Sequence, residues 1–295
     1  MTLTFTGERF LPECAGEIVY EHWHRYLVAR EYVAGRRVLD IPCGEGYGSE
    51  LLAARAESVL GVDISREAVA HASARYDQEN LRFTVASCTE IREPDASFDV
   101  IVSFEMIEHI TAQEAFLREV TRLLKPDGLF IISSPNRAEY SDRTGYKNEF
   151  HVQELDRAEL KTLLDPHFPA QQWFAQRTAF HSMLWPLDGA ASSARALIVT
   201  GESAYPEPLY FVVFCARDAT RLDTVKNELS LVTDREQSVY AEWSRTYREN
   251  AMLHAEIASL KSAPVAPEPA PRAPARLELR EPWLVRVARA LSGIR

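Results

Sequence analysis

Short apolar, β-branched runs alternate with helix-patterned segments over the first 217 of the 295 residues. Runs at 37–41, 58–63, 81–86, 98–103, 128–133 and 209–216 read as strands, with a weaker one at 172–176. Segments 49–56, 65–77, 111–124 and 155–164 carry apolar residues at helical spacing. Strands that alternate with helices join as βαβ units. The sequence therefore predicts an α/β domain, a mostly parallel sheet with helices on both faces. Lys125-Pro126-Asp127-Gly128 reads as a helix stop and the turn into the next strand. At 46% apolar residues, the chain can fill a sizeable core.

Beyond residue 217 the period changes. Leu222, Val225, Leu229, Val232, Val239, Trp243, Leu253, Ile257 and Leu260 recur at alternating steps of three and four, with Glu236, Thr246 and Asn250 at the other positions of the series. No Pro or Gly interrupts. This heptad spacing predicts a coiled coil over 218–261, with Asn250 fixing register, and hence a homo-oligomer. A single amphipathic helix packed on the preceding domain is the alternative. Five prolines within 262–277 predict an extended linker. Residues 278–295 read as a short basic amphipathic helix, with Pro282 in its first turn and Leu284, Val287, Leu291 and Ile294 on one face. Such a helix suits a membrane surface or a partner protein. A tail without function is the alternative.

Bulk charge narrows the partners. A net charge of -10 repels phosphate backbones, which disfavours nucleic acid. Cys14, Cys43, Cys88 and Cys215 form no C-x-x-C pair, so they read as reduced thiols rather than zinc ligands. The first residues show no basic stretch followed by an apolar run, and nowhere do 18 apolar residues follow one another. The expected location is cytoplasmic, at most peripheral to the inner membrane.

The densest local signal is Val38-Leu39-Asp40-Ile41-Pro42-Cys43-Gly44-Glu45-Gly46-Tyr47-Gly48. An apolar strand ends in an acid and turns through three alternate glycines into a helix. Glycines let the backbone approach a ligand closely. A carboxylate at the strand end repels a pyrophosphate but suits the cationic amino-acid end of S-adenosylmethionine (SAM). The second strand ends in Asp63, 19 residues after Gly44, where a carboxylate can accept both ribose hydroxyls. Either acid alone would be an ordinary strand-end residue. The ordered set is not ordinary.

With VLDIPCGEGYG, GVDIS, SFDVIVSFEMIEHI and LLKPDGLFIISSPN, residues 37–133 resemble the class I SAM-dependent methyltransferases. The resemblance covers residues 1–217. It implies a Rossmann-like sheet of seven strands whose last strand, 209–216, runs antiparallel. It also implies that Asp40, Gly44, Glu45, Gly46, Gly48, Asp63 and Ile64 line the cofactor. Ser87 and Cys88 would lie near the adenine, and Phe104 and Glu105 beside the methionine moiety.

The fourth strand runs into Glu105-Met106-Ile107-Glu108-His109, and positions i, i+3 and i+4 share a helical face. Asn148-Glu149-Phe150-His151 offers a second imidazole. The arrangement resembles the E-x-x-E-H and distant His of magnesium-dependent small-RNA 2′-O-methyltransferases, and part of it recurs in ubiquinone-pathway O-methyltransferases. The resemblance implies a divalent cation, Mg²⁺ or Mn²⁺, on Glu105, Glu108, His109 and His151. The alternative is structural, with glutamates favouring a helix start and buried histidines hydrogen-bonded. His109 or His151 also qualifies as a general base.

Upstream, TGERF (6–10) and EHWHRY (21–26) resemble methyltransferases of bacterial surface-polysaccharide (O-antigen type) synthesis. Tyr20, His24 or Arg25 would reach the SAM carboxylate or the acceptor, while Trp23, Tyr26 and Leu27 pack the helix on the sheet. Residues 178–208 read as a long irregular insertion of the kind that shapes an acceptor pocket. The leading expectation is metal-assisted O-methylation of a sugar hydroxyl on a glycan or glycolipid acceptor, by an oligomer that docks to the glycan-assembly machinery through its C-terminal helix. The rivals are an RNA 3′-terminal 2′-O-methyltransferase, a quinone-type small-molecule O-methyltransferase, and a non-catalytic coiled-coil scaffold.

Overall fold

The computed structural model describes residues 16–180, 205–234 and 236–262. The chain divides into two units, 1–244 and 245–295. The first unit holds seven strands: β1 (Arg37–Asp40), β2 (Ser58–Asp63), β3 (Leu81–Val85), β4 (Phe98–Ser103), β5 (Leu124–Pro135), β6 (Ala170–Gln176) and β7 (Tyr210–Ala216). Its helices are α1 (Glu17–Ala29), α2 (Tyr47–Ala53), α3 (Arg66–Arg75), α4 (Gln113–Leu123) and α5 (Arg157–Leu164). The sheet order is β3-β2-β1-β4-β5-β7-β6. Strands β1 to β5 pair in parallel, and β7 is antiparallel to both β5 and β6. This is the Rossmann-like seven-stranded sheet that the sequence predicts.

Successive strand residues feed opposite faces. Leu39, Ile101, Phe130 and Ile132 pack with Phe116, Leu117 and Leu160 of α4 and α5 in one core. Val38, Val100, Val102 and Ile131 pack with Tyr26 and Leu52 of α1 and α2 in the other. Strands covered on both faces are apolar along most of their length, as β2 and β4 are between their polar ends, so both were readable from the sequence. Local caps set the helix starts. Ser65 accepts the Ala68 N–H at the head of α3, and Asp156 and Glu159 form a reciprocal capping box on α5.

Two readings of the sequence need correction. The 125–128 turn lies within β5, whose pairing with β4 slips between Phe98–Leu124 and Val100–Leu129. The extra residues are taken up by a bulge rather than a loop. The heptad series also begins too early. Residues Ala219–Thr224 form a 3-10 turn, and 225–234 and 236–237 are not helical. Leu222 packs on the second core and Val225 is buried there. These two apolar side chains are satisfied by their own domain, and a 3-10 turn presents residues three apart on one side. The helix α6 (Ser238–Ser262) begins only at Ser238, where Asp234 accepts the backbone N–H at 2.9 Å. Residues 6–10, most of the 178–208 insertion, the proline linker and the C-terminal helix lie outside the described residues.

Candidate active site

The crevice opens at the carboxyl ends of β1, β2 and β4, where open parallel sheets bind ligands. Gly44 has φ 54° and Gly46 φ 102°, and Gly46 is the N-cap of α2. A Cβ on Gly46 would sit 2.8 Å from the Ala72 Cβ, and one on Gly48 would lie 2.1 Å from the Tyr26 ring. Both positions therefore require glycine. The Asp63 Oδ2 accepts the Gly44 N–H (3.0 Å) and its Oδ1 accepts the Ser65 N–H (2.8 Å). That pins the end of β2 to the glycine turn. Ile64, next in sequence, is 76% exposed and offers an apolar surface beside Asp63. After β3, the Ser87 hydroxyl bonds the Thr89 hydroxyl, while burial pushes the half-buried Cys88 thiol up.

Two predicted cofactor residues have other partners here. Asp40 is fully buried, and its oxygens accept the hydroxyls of Tyr26 (3.0 Å) and Ser49 (2.6 Å). Burial raises its pKa to about 7 against those two bonds. Asp40 ties α1 and α2 to β1. Glu45, 1% exposed, lies against α3 and its C-terminal residue, within 3.0 Å of Arg75 Nη1, 2.9 Å of His71 Nε2 and 2.7 Å of the Tyr76 hydroxyl.

Glu105 stands at the end of the next strand with φ 50°. Its backbone N–H donates to the Ser133 hydroxyl, which donates back to Oε1 at 2.6 Å. Its carboxylate lies 3.5 Å from the Arg25 guanidinium. Arg25 comes from α1, is 3% exposed and lies over the Tyr210 ring at 4.5 Å. Its Nε donates to Gln176, while Nη1 and Nη2 have no hydrogen-bond partner among the described residues. Buried Glu21 completes the pocket, and burial raises its pKa to about 7 although Arg25 pulls it down. The sequence offered Arg25 as one of three candidates and gave no sign of Glu21 or Tyr210.

The E-x-x-E-H segment is not one helical face. Only Ile107–His109 form a 3-10 turn, and the left-handed backbone at Glu105 turns that residue away from the histidines and toward Arg25. Glu108, His109 and His151 do come together, each with a ligating atom within 4.8 Å of the others. Glu105 is not in that set. Glu108 is fully buried and neither carboxylate oxygen has a hydrogen-bond partner among the described residues. Burial first, then Glu105, pushes its pKa well above the ordinary carboxylate range. The His109 Nδ1 lies 3.0 Å from the Phe150 carbonyl. Nδ1 donates there, and Nε2 lies 3.9 Å from Glu108. The His151 Nδ1 lies 2.6 Å from Glu154, its Nε2 lies 3.0 Å from the Asn148 amide, and Tyr140 stacks on its ring. Asn148, Glu154 and Tyr140 were not legible beforehand.

A buried carboxylate without a hydrogen-bond partner among the described residues, beside an imidazole nitrogen, fits a divalent cation, since buried charge is otherwise expensive. The donor set of one oxygen and two nitrogens admits Mg²⁺ or Mn²⁺, and also softer ions.

The doubly wound sheet, the glycine turn after β1 and the carboxylate after β2 are arranged as the resemblance to the class I SAM-dependent methyltransferases implies. Residues 39–132 match the family described as Methyltransferase domain. A probable SAM-dependent methyltransferase of Mycolicibacterium smegmatis is 42% identical over 166 residues, covering 55% of this chain and 64% of that protein. The alignment thus spans less than two thirds of that relative. A ubiquinone biosynthesis O-methyltransferase of Bradyrhizobium diazoefficiens is 36% identical over 107 residues, covering 36% of this chain and 42% of that protein. A crystal structure of a Pyrococcus horikoshii protein superposes with TM-score 0.51 at 20% identity, covering 72% of this chain and 99% of that one, a likeness of fold. No helix among the described residues is long and apolar enough to cross a membrane.

Proposed function

We propose that the chain transfers the methyl group of SAM to a hydroxyl oxygen, with Glu108, His109 and His151 holding a divalent cation beside the acceptor. The observation that carries this reading is Glu108, fully buried, without a hydrogen-bond partner among the described residues, and facing an imidazole. In the proposal Asp63 and the glycine turn hold the nucleoside, and the Nη groups of Arg25, which have no hydrogen-bond partner among the described residues, receive the methionine carboxylate. Transfer from a sulfonium is an in-line displacement, so the residues must fix the acceptor oxygen opposite the methyl group. A bound cation would lower the pKa of a coordinated hydroxyl. Glu108, His109 and His151 would set its place; in the metal-free alternative His151, backed by Glu154, would instead be the base for the departing proton.

We carry the acceptor as a sugar hydroxyl of a bacterial surface glycan or glycolipid. A vicinal diol can chelate a cation, and the TGERF and EHWHRY segments resemble methyltransferases of that pathway. A second reading, a quinone-type phenol, is favoured by the likeness to the ubiquinone enzyme. Oligomer formation is also a proposal, resting on Leu253 and Ile257, which are 54% and 46% exposed at the seam spacing of α6. The deciding assay is transfer from labelled SAM to candidate glycans and catechols, with and without EDTA. Activity that ignores the chelator overturns the cation. Transfer to catechols alone overturns the glycan.

A further inference from the structure

A second concave site lies at the opposite edge of the sheet. The cofactor crevice is at the carboxyl ends of the parallel strands. A cavity of about 790 Å³ opens at their amino ends, lined by Leu27, Arg30, Tyr32, Arg36, Arg55 and Arg221 among others. Topology brings these residues together. Arg30 and Tyr32 follow α1, Arg36 precedes β1, and Arg55 follows α2. Because β7 runs antiparallel, its end returns the chain to this edge and delivers Arg221.

The charge here is lopsided in a chain of net charge -10. Lys226 also lines the cavity and pairs with Glu31 at 2.6 Å. Arg36 has Asp99 at 3.8 Å, a carboxylate already engaged by Lys125 at 2.8 Å. Arg30, Arg55 and Arg221 form no ion pair among the described residues. The Arg30 Nε is buried with no hydrogen-bond partner there. Arg221 suffers from burial first and then from the like charge of Arg36, with Asp127 and Asp99 compensating only in part. The Arg221 Nη1 donates to the Thr224 hydroxyl at 2.9 Å and leaves its other guanidinium nitrogens for a ligand. Guanidinium groups gathered around a concave space are what a phosphate ester satisfies by forked hydrogen bonds. Tyr32 and Leu27 add an apolar wall for whatever the phosphate is attached to.

We propose that this amino-edge cavity binds a phosphate or diphosphate group, held by Arg30, Arg55 and Arg221, as a ligand site separate from the methyl-transfer crevice. The group would come from a soluble nucleotide or from a lipid headgroup. The site does not depend on the methyltransferase reading, because it needs neither SAM nor the cation.

The test is titration of the full-length chain with inorganic pyrophosphate by calorimetry at 150 mM-range ionic strength, about the physiological screening regime. Binding is expected in the unaltered chain and should weaken by about tenfold or more in R55Q/R221Q, as two charge-assisted contacts are lost. S-adenosylhomocysteine affinity should not change in that variant. If the variant does not fold, amide shifts in the unaltered chain decide. Pyrophosphate should move Gly35, Arg36 and Thr224 and leave Gly44 to Gly48 in place. A flotation arm uses phosphatidylcholine vesicles with and without phosphatidic acid. Flotation competed by pyrophosphate assigns the lipid source, and pyrophosphate binding without flotation assigns the soluble one. No pyrophosphate binding, binding unchanged in the variant, or shifts confined to the glycine turn would overturn the site.

Discussion

The carboxylate of Asp63 accepts the backbone N–H of Gly44 at 3.0 Å, joining the end of one strand to the turn that follows its neighbour. One side chain thus shapes the loop and supplies the proposed ribose contact. Asp63→Ala should raise the dissociation constant for SAM by about tenfold or more, the loss of charged hydrogen bonds to two hydroxyls. Calorimetry with S-adenosylhomocysteine measures it. Unchanged affinity would place the nucleoside elsewhere.

Glu108→Gln removes a buried carboxyl group that has no hydrogen-bond partner among the described residues. Without divalent cation the variant should lose less melting temperature than the unaltered chain as pH rises, since ionising a buried carboxyl is costly. With Mn²⁺ added, the unaltered chain should gain melting temperature and the variant should not. Scanning fluorimetry at graded pH and graded Mn²⁺ reads both. Equal Mn²⁺ responses would remove Glu108 from the ligand set.

Asp40 gives a pH prediction. Burial raises its pKa from 3.8 to about 7, so the folded chain holds a proton that the unfolded chain releases. Between those values stability falls as pH rises, because the unfolded state binds fewer protons. Below the unfolded value the favourable contribution is complete, and it is lost as pH passes the folded one. Asp40→Asn should flatten this decline in urea unfolding between pH 4 and pH 8, the range bracketing about 3.8 to about 7. Identical slopes would mean that Asp40 does not titrate there.

Gly48→Ala places a Cβ 2.1 Å from the Tyr26 ring, between α1 and α2. The expected cost is about 1–3 kcal/mol, typical of overpacking. Chemical denaturation measures it. A neutral substitution would show that α1 can move outward.

Truncation separates domain from appendage. Ending the chain after 217 strips Leu222 and Val225 from the second core, so that product should melt lower or precipitate. Ending it after Ser244 keeps the first compact unit intact and should leave the melting point close to that of the whole chain. Equal behaviour of both products would show that the two apolar contacts contribute little.

The strands and the glycine turn were legible because their signals are local. A strand buried on both faces is apolar along most of its length, as in 58–63 and 98–103, and close backbone approach demands glycine at 46 and 48. The site's other half was not, because its logic is long-range. Nothing near Glu105 in sequence announces a left-handed backbone, and that one torsion separates it from Glu108 and His109. The lack of an N-cap acceptor side chain at Met106, before Ile107, was the available hint that a regular helix does not start there. His151 was found as an imidazole, but its orientation depends on Glu154 and Asn148. Glu45 looked like a loop acid open to a ligand, while its partners lie 26 to 31 residues away. The heptad series misled over 222–237 because three-and-four spacing also suits residues that a 3-10 turn sets against a sheet.

The grip of Glu45 on His71, Arg75 and Tyr76 has a kinetic corollary. The floor of the crevice is already assembled before any nucleoside arrives, so docking demands little rearrangement there and forfeits little chain entropy. Hydrogen exchange at 44–48 should be slow in the apo chain and change little on saturation. Any gating of entry must then come from the walls built by α1 and by the segment between β5 and α5.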